Sequence, residues 1–267
     1  MKNLIILKIG GSVITDKFSK KPKVNFKNLK RIAKEIASAY NPKKISLIFI
    51  HGAGSYGHLI VKKTGIDKGI KNEKQLEAFA ETQRLQNELN CIVTKYLINE
   101  NLPAIPCQPS ANAVMKSGRL IKMDISAIEG LLKIKMIPVL YGVPAYDKNQ
   151  KCSILSGDQI IVFLAKKLKA KKIVHGTNVE GVFTGDPNLD PKAKLVPEIN
   201  SKNINQIKKQ LKGSTAIDVT GGMFYKVGRC VEFAKIGIKS SIISGLIRNR
   251  LKKALLGKKV RGTIIKY

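Results

Sequence analysis

The chain of 267 residues has no tryptophan, three histidines, four cysteines, and 18 acidic residues against 49 basic ones. Each shortage excludes something. Cys91, Cys107, Cys152 and Cys230 are far apart, form no Cys-x-x-Cys pair and have no histidine at zinc-ligand spacing. This argues against a zinc centre or a disulfide framework and for reduced thiols. No apolar run approaches the roughly 18 to 20 residues of a membrane-spanning helix. The short apolar stretch after Met1-Lys2-Asn3 lacks the form of a secretory signal. A soluble cytoplasmic protein without a membrane partner is expected. The deficit of acid leaves a formal charge of +31, which invites a nucleic-acid reading because basic surfaces attract phosphate polymers. Of the 49 basic residues, however, 42 are lysine and 7 arginine, and recognition of bases and phosphates leans on arginine's planar fork. With no aromatic-rich RNA motif and with lysines spread over the whole chain, no specific nucleic-acid function is expected, only salt-sensitive attraction to polyanions. There is no Gly-x-x-x-x-Gly-Lys-Ser/Thr loop and no Gly-x-Gly-x-x-Gly after the first apolar run, which disfavours a P-loop enzyme and a dinucleotide-binding domain.

What is present is a 43% hydrophobic chain that alternates short apolar runs with helical periodicities. Such a pattern builds an α/β fold with a mainly parallel sheet, as one large domain or two lobes. The run Leu4–Ile9 reads as a buried strand ending in Gly10-Gly11-Ser12. Phe26, Leu29, Ile32, Ala33, Ile36, Ala37 and Tyr40 recur at helical spacing and stop at Asn41-Pro42. Ile45 to Ile50 reads as a second buried strand, followed by His51-Gly52-Ala53-Gly54-Ser55-Tyr56-Gly57-His58. A long helical pattern from Glu73 to about Asn99 carries Leu76, Phe79, Ala80, Leu89, Ile92, Val93, Tyr96 and Leu97, a face read as core packing whose first turns could wall a pocket for an apolar tail. Further strands are expected over Pro103 to Cys107, Ile137 to Tyr141, Lys172 to His175 and Ser240 to Ser244. Gly262 to Lys266 is expected as a closing edge strand. Helices are expected over Asp124 to Leu132, from about Ser156 to Leu168, after Gly222, and over Leu246 to Leu256, while Tyr146 to Ser153 reads as a polar turn.

Chemistry is suggested where strands end. Glycines after a strand allow close approach of the backbone, whose N–H groups make a nest for an anion; the alternative is a tight turn that needs small residues. Lys8, penultimate in a buried strand, is costly unless it points at an anion from the strand's end; the alternative is a snorkelling stem. Lys17 adds a second cation near the same end. Asp158, opening a helix, either caps it or orients Lys8 and another lysine, and the two roles are compatible. The segment Thr177 to Pro187 reads as an irregular exposed connection suited to a nucleotide base. Gly221-Gly222, with Lys226 one turn on, offers N–H groups and charge to phosphate.

Taken jointly and in this order, Lys8-Ile-Gly-Gly-Ser12, His51 to His58, Ser156-Gly-Asp158, Thr177 to Pro187 and Gly221 to Lys226 resemble the amino acid kinase superfamily across essentially the whole chain. Within it, Ser55-Tyr56-Gly57-His58 is most similar to the isopentenyl phosphate kinases. That resemblance implies an αβα sandwich on an open sheet, a single domain 1–267 with an acceptor lobe over about 1–170 and a nucleotide lobe over 171–267. It implies phosphorylation of isopentenyl phosphate by ATP with Mg²⁺ held through the ATP phosphates, a small acceptor with an apolar tail, and a homodimer. It further implies that Gly52, Ala53, His58 and Gly157 bind the acceptor phosphate. Lys8, Gly10, Gly11, Ser12, Gly54, Gly222 and Lys226 would handle ATP phosphates, Asn178 and Phe183 would flank the nucleotide, Lys17 would stabilise the transition state, and Asp158 would position the lysines. Two departures stand out: Asn178 and Glu180 where aspartates are frequent, and Phe224 where a lysine can occur. The alternatives are a relative acting on a carboxylate or a nucleoside monophosphate, and a non-catalytic nucleic-acid-binding protein.

Overall fold

A computed structural model describes residues 3–16, 19, 21–185, 190–212 and 222–267. Lys17, Asp186, Pro187 and Gly221, to which the motifs above extend, lie outside the described residues. The first strand, β1 (Leu4–Ile9), is followed by the single-turn α1 (Gly11–Ile14), then α2 (Phe26–Ala37), β2 (Ser46–His51), α3 (His58–Thr64) and the long α4 (Glu73–Ile98). Next come β3 (Ala104–Pro106), β4 (Ala113–Lys116), β5 (Arg119–Met123), α5 (Ser126–Lys133), β6 (Ile137–Tyr141), β7 (Val143–Asp147), β8 (Lys151–Leu155) and α6 (Gly157–Lys167). The remainder is β9 (Lys172–Thr177), β10 (Glu198–Ile199), α7 (Ile204–Lys212), α8 (Gly222–Lys235), β11 (Lys239–Ser244), α9 (Arg250–Leu255) and β12 (Gly262–Ile265).

Eight strands form one sheet in the order β10-β12-β11-β9-β1-β2-β6-β3. The run from β11 to β3 is parallel throughout, and β12 turns antiparallel to β11. The central strands are apolar on both faces because both faces are covered. Ile5, Leu7 and Ile9 of β1 join Leu47 and Phe49 of β2 in a core with α2, α4 and α9. Leu4 and Ile6 join Ile48 and Ile50 in a second core with α5 and α6. This is the expected sandwich. Strand alternation places Lys8 on the face of Leu4 and Ile6, toward α6, at the carboxyl end where ligands meet parallel sheets.

Four expectations are corrected. Tyr146 to Ser153 is a hairpin, β7 and β8 turning at Lys148 to Gln150, and belongs to a second sheet ordered β5-β4-β7-β8. The buried carboxylate of Asp147 ties it together, accepting from Ser117 N, Gly118 N, Asn149 N, Gln150 N and Ser153 Oγ at 2.8–3.2 Å. A polar residue that looked like a turn signal is the knot of two hairpins. Strand β12 is not at the edge, since the two-residue β10 pairs outside it. Helix α9 starts at Arg250, four residues late, because Asn249 adopts the left-handed φ of 66°. Its first amides are capped from afar: Leu251 N and Lys252 N donate to Glu35 Oε2 of α2. On α4 the apolar face is incomplete: Leu76 is exposed, and Thr82, Gln86, Asn90 and Thr94 form a buried polar row at four-residue spacing.

Candidate active site

Three elements converge on one carboxylate. Asp158 sits in the first turn of α6, whose N-cap is Ser156, with its Oγ accepting from Gln159 N at 3.3 Å. Capping is thus done by Ser156, and the carboxylate of Asp158 faces two lysines instead. Its Oδ1 is 2.8 Å from Lys8 Nζ on β1, and its Oδ2 accepts from Lys226 Nζ on α8 at 3.3 Å. Lys8, Lys226 and Asp158 are 12%, 17% and 27% exposed. Gly157 makes the approach possible, since a Cβ there would lie 3.2 Å from Ile50 Cγ2 and 3.4 Å from Lys8 Cε.

The electrostatics follow from two cations sharing one anion in a desolvated place. Burial pulls the Lys8 ammonium down to about 8, opposed by Asp158 and reinforced by Lys226. Burial works against the Lys226 charge too, but Asp158 outweighs it and the net shift is upward. Burial also disfavours the Asp158 anion, yet Lys8 and Lys226 hold its carboxyl far below the usual range. At neutral pH the cluster carries two cations against one anion, a net positive charge at the sheet's carboxyl edge.

Beside it, the loops after β1 and β2 pack backbone on backbone. A Cβ on Gly11 would lie 2.2 Å from Gly54 N, and one on Gly52 would lie 2.5 Å from Gly11 N. Gly54 has a φ of +52°, and a Cβ there would lie 2.0 Å from Thr15 Oγ1. Both readings of the glycines therefore hold, because the turns must be tight in order to touch. The amides divide accordingly. Gly10 N donates to Gly176 O and Gly52 N to Ile9 O, joining strand ends. Ser55 N donates to Thr15 Oγ1. The amides of Gly11, Ser12, Ala53 and Gly54 have no hydrogen-bond partner among the described residues.

Of the Ser55 to His58 extension, Ser55 and Tyr56 are buried, with Ser55 Oγ accepting from Lys23 N at 3.2 Å. Gly57 is buried against Gln86, and His58 opens α3 exposed. His51 is fully buried, its Nε2 3.1 Å from Asn90 Oδ1 and its ring stacked on Tyr141 at 5.5 Å. Burial lowers its pKa to about 4. Asn90 and Gln86 of the polar row of α4 thus lie under the glycine loop. Sequence reasoning missed the row, although the four-residue recurrence of Thr82, Gln86, Asn90 and Thr94 was a readable signal.

On the other side, β9 continues to Thr177, two residues beyond the expected end. Asn178 is exposed just past it, and Phe183 bridges to Leu195. The Glu180 carboxylate, one of the departures, accepts from Arg250 Nη2 and Arg261 Nε at 2.7 Å each, which fastens this connection to α9 and to the residue just before β12. Gly222 begins α8, one turn before Lys226. Among the described residues no group of three or more His, Cys, Asp or Glu side chains gathers as a metal would require, and no helix is long and apolar enough to cross a membrane.

Comparison with known proteins bears directly on this arrangement. Residues 3–244 match the amino acid kinase family. The chain is 40% identical to the isopentenyl phosphate kinase of Methanothermobacter thermautotrophicus, covering 98% of both chains. It is 37% identical to that of Methanocaldococcus jannaschii, covering 99% of both. Among solved structures, one of isopentenyl phosphate kinase superposes with a TM-score of 0.86 at 37% identity, covering 99% of this chain and all of the other.

Proposed function

Because this chain belongs to the amino acid kinase family, we propose that it phosphorylates isopentenyl phosphate with ATP, yielding isopentenyl diphosphate. The structural observation that carries the phosphotransfer reading is the Lys8–Asp158–Lys226 cluster at the edge where the two glycine loops meet. The choice of acceptor is supported by likeness to isopentenyl phosphate kinases over nearly the full chain.

Joining a γ-phosphoryl group to a phosphate monoester brings two anions together, so alignment and neutralisation are most of the task. The attacking oxygen already belongs to a phosphate, and no general base is needed. In this reading Lys8 reaches the transferred group from β1 and Lys226 reaches the donor phosphates from α8. Asp158 holds the two ammonium groups in place, so their positions are set before substrate arrives, the arrangement that gives electrostatic catalysis its strength. The amides of Gly11, Ser12, Ala53 and Gly54 supply neutral donors; Gly10, Gly52 and Gly157 shape the walls. His58 takes the acceptor's own phosphate, Lys17 stabilises the transition state, and Asn178, Phe183 and Gly222 line the nucleotide side. These roles rest on the resemblance. Asp158 is already engaged by two lysines, so Mg²⁺ fits as an ion carried on the ATP phosphates, whose charge it would neutralise. Residues before about 171 form the acceptor lobe and those after it the nucleotide lobe. A cytoplasmic homodimer goes with the same reading and is checked by sedimentation of the purified protein.

The test is ADP release with Mg-ATP and, separately, isopentenyl phosphate, UMP, glutamate, N-acetylglutamate and carbamate. Turnover with isopentenyl phosphate and background with the others is expected. Turnover with a carboxylate or with UMP, and none with isopentenyl phosphate, would overturn the choice of acceptor.

A further inference from the structure

His175 has no part in the reading above, yet it stands behind the cluster. It pairs with Lys8 in the β1–β9 register and is 3% exposed. Its Nε2 lies 3.5 Å from Sγ of Cys230 on α8, and its Nδ1 lies 4.0 Å from Oδ1 of Asp158 on α6. The charged and titratable groups facing it are Asp158 from α6, Lys8 from β1, and Lys226 and Cys230 from α8, with Ser240 of β11 against the sulfur. Burial and the nearby Lys226 pull the ring's pKa down to about 3, so the imidazole is neutral; burial pushes the Cys230 thiol up to about 12, so the thiol keeps its proton.

A neutral imidazole has one N–H, and its position follows from what each nitrogen faces. If the proton were on Nε2, it would point at a protonated thiol, and the bare Nδ1 lone pair would face a carboxylate oxygen. The first contact would use only the weak sulfur acceptor, and the second would set a lone pair against an anion. With the proton on Nδ1, the Cys230 S–H points at the Nε2 lone pair and the ring N–H points at Asp158. At 4.0 Å this second contact is longer than a hydrogen bond, and it acts as a dipole on a charge in surroundings of low dielectric.

We infer that His175 is a positioning residue, a neutral imidazole whose tautomer is set by the Cys230 thiol and whose Nδ1–H steadies Asp158 from behind while Asp158 presents Lys8 and Lys226. This rests on the reading of those three residues as the phosphate-handling cluster.

The test uses ¹⁵N-histidine-labelled protein, in which each of the three rings is assigned by substitution. Long-range proton–nitrogen spectra of the unsubstituted chain report the tautomer without disturbing the fold. The His175 ring is expected neutral and protonated at Nδ1 between about pH 6 and 8, as a single species that becomes mixed in Cys230→Ala and is restored in Cys230→Ser. His175→Leu is expected to lower kcat roughly tenfold with little change in either KM, and to add almost nothing in an Asp158→Asn background. An Nε2–H tautomer, an imidazolium, or an equal loss in the Asp158→Asn background would overturn the inference. Full activity of Asp158→Asn itself would overturn the reading of the cluster and this inference with it. A loss there combined with the wrong tautomer would overturn this inference alone.

Discussion

Asp158 pairs with Lys8 and Lys226 through separate oxygens, so replacing it should misplace both cations at once. Asp158→Asn keeps the volume and the helix start, and kcat/KM is expected to fall about ten- to a hundred-fold, the cost of losing charge-assisted hydrogen bonds that align a transition state. Steady-state ADP release, with circular dichroism confirming the fold, checks this. The Lys8 ammonium, drawn down to about 8 by burial, gives the pH dependence its sign. Below that pH Lys8 is charged and can neutralise phosphate; as pH rises through it, the charge is lost and kcat/KM declines. Because kcat/KM reports the free enzyme and kcat the bound complex, the kcat limb is expected at higher pH, since bound phosphate favours the ammonium. A flat profile from about pH 7 to 9 would remove Lys8 from the chemistry. His58 is exposed at the head of α3, and His58→Ala is expected to raise KM for the phosphorylated acceptor several-fold more than KM for ATP. An unchanged acceptor KM would take His58 out of the acceptor site.

The loops and helices carry their own predictions, because the glycines differ in what surrounds them. Gly54 and Gly65 both have positive φ, but a Cβ at Gly54 meets Thr15 Oγ1 at 2.0 Å while one at Gly65 meets nothing within 4 Å. Gly65→Ala therefore incurs only backbone strain, about 1 kcal/mol. Gly54→Ala adds overpacking at a contact between two loops, and a loss of about 2–4 kcal/mol is expected. Urea denaturation of the two variants checks the difference. These elements also show what could be read without a structure. Strands β1, β2 and β6 were legible as apolar runs followed by glycine, and α2 as a 3.6-residue periodicity, since both patterns are local. The hairpin β7–β8 was not, because Asp147 reads locally as a turn residue and two of its donors, Ser117 N and Gly118 N, come from about 30 residues away. The start of α9 was not either, because its cap is Glu35, more than 200 residues earlier.

For the molecule as a whole, the formal charge of +31 is larger than any of the local pairings offsets. Like charges on one folded body repel, and salt screens them with a Debye length near 10 Å at about 0.1 M. The melting temperature is therefore expected to rise by several degrees between low and physiological ionic strength, as followed by calorimetry, and adventitious binding to polyanions to disappear over the same range. The continuous eight-stranded sheet joins the elements before residue 171 to those after it through the β1–β9 pairing, so thermal unfolding is expected as one transition, and two resolved transitions would contradict it.

The sequence by itself determined the order of the parallel strands β1, β2, β3, β6, β9 and β11 and of the longer helices between them, the glycine turns, and the residue types at the sheet edge, because periodicity and turn chemistry act over a few residues. It placed Lys8 at a strand end and Asp158 at a helix start but left each with two readings. Only the tertiary structure decided between them. Lys8, Asp158 and Lys226 are separated by 150 and 68 residues, and whether a buried lysine snorkels or pairs depends on what the far chain brings to it. The same holds for Gln86 and Asn90 of α4 under the glycine loop and for His175 behind Asp158. A buried polar group must find partners, and those partners come from distant elements that local pattern does not bring together.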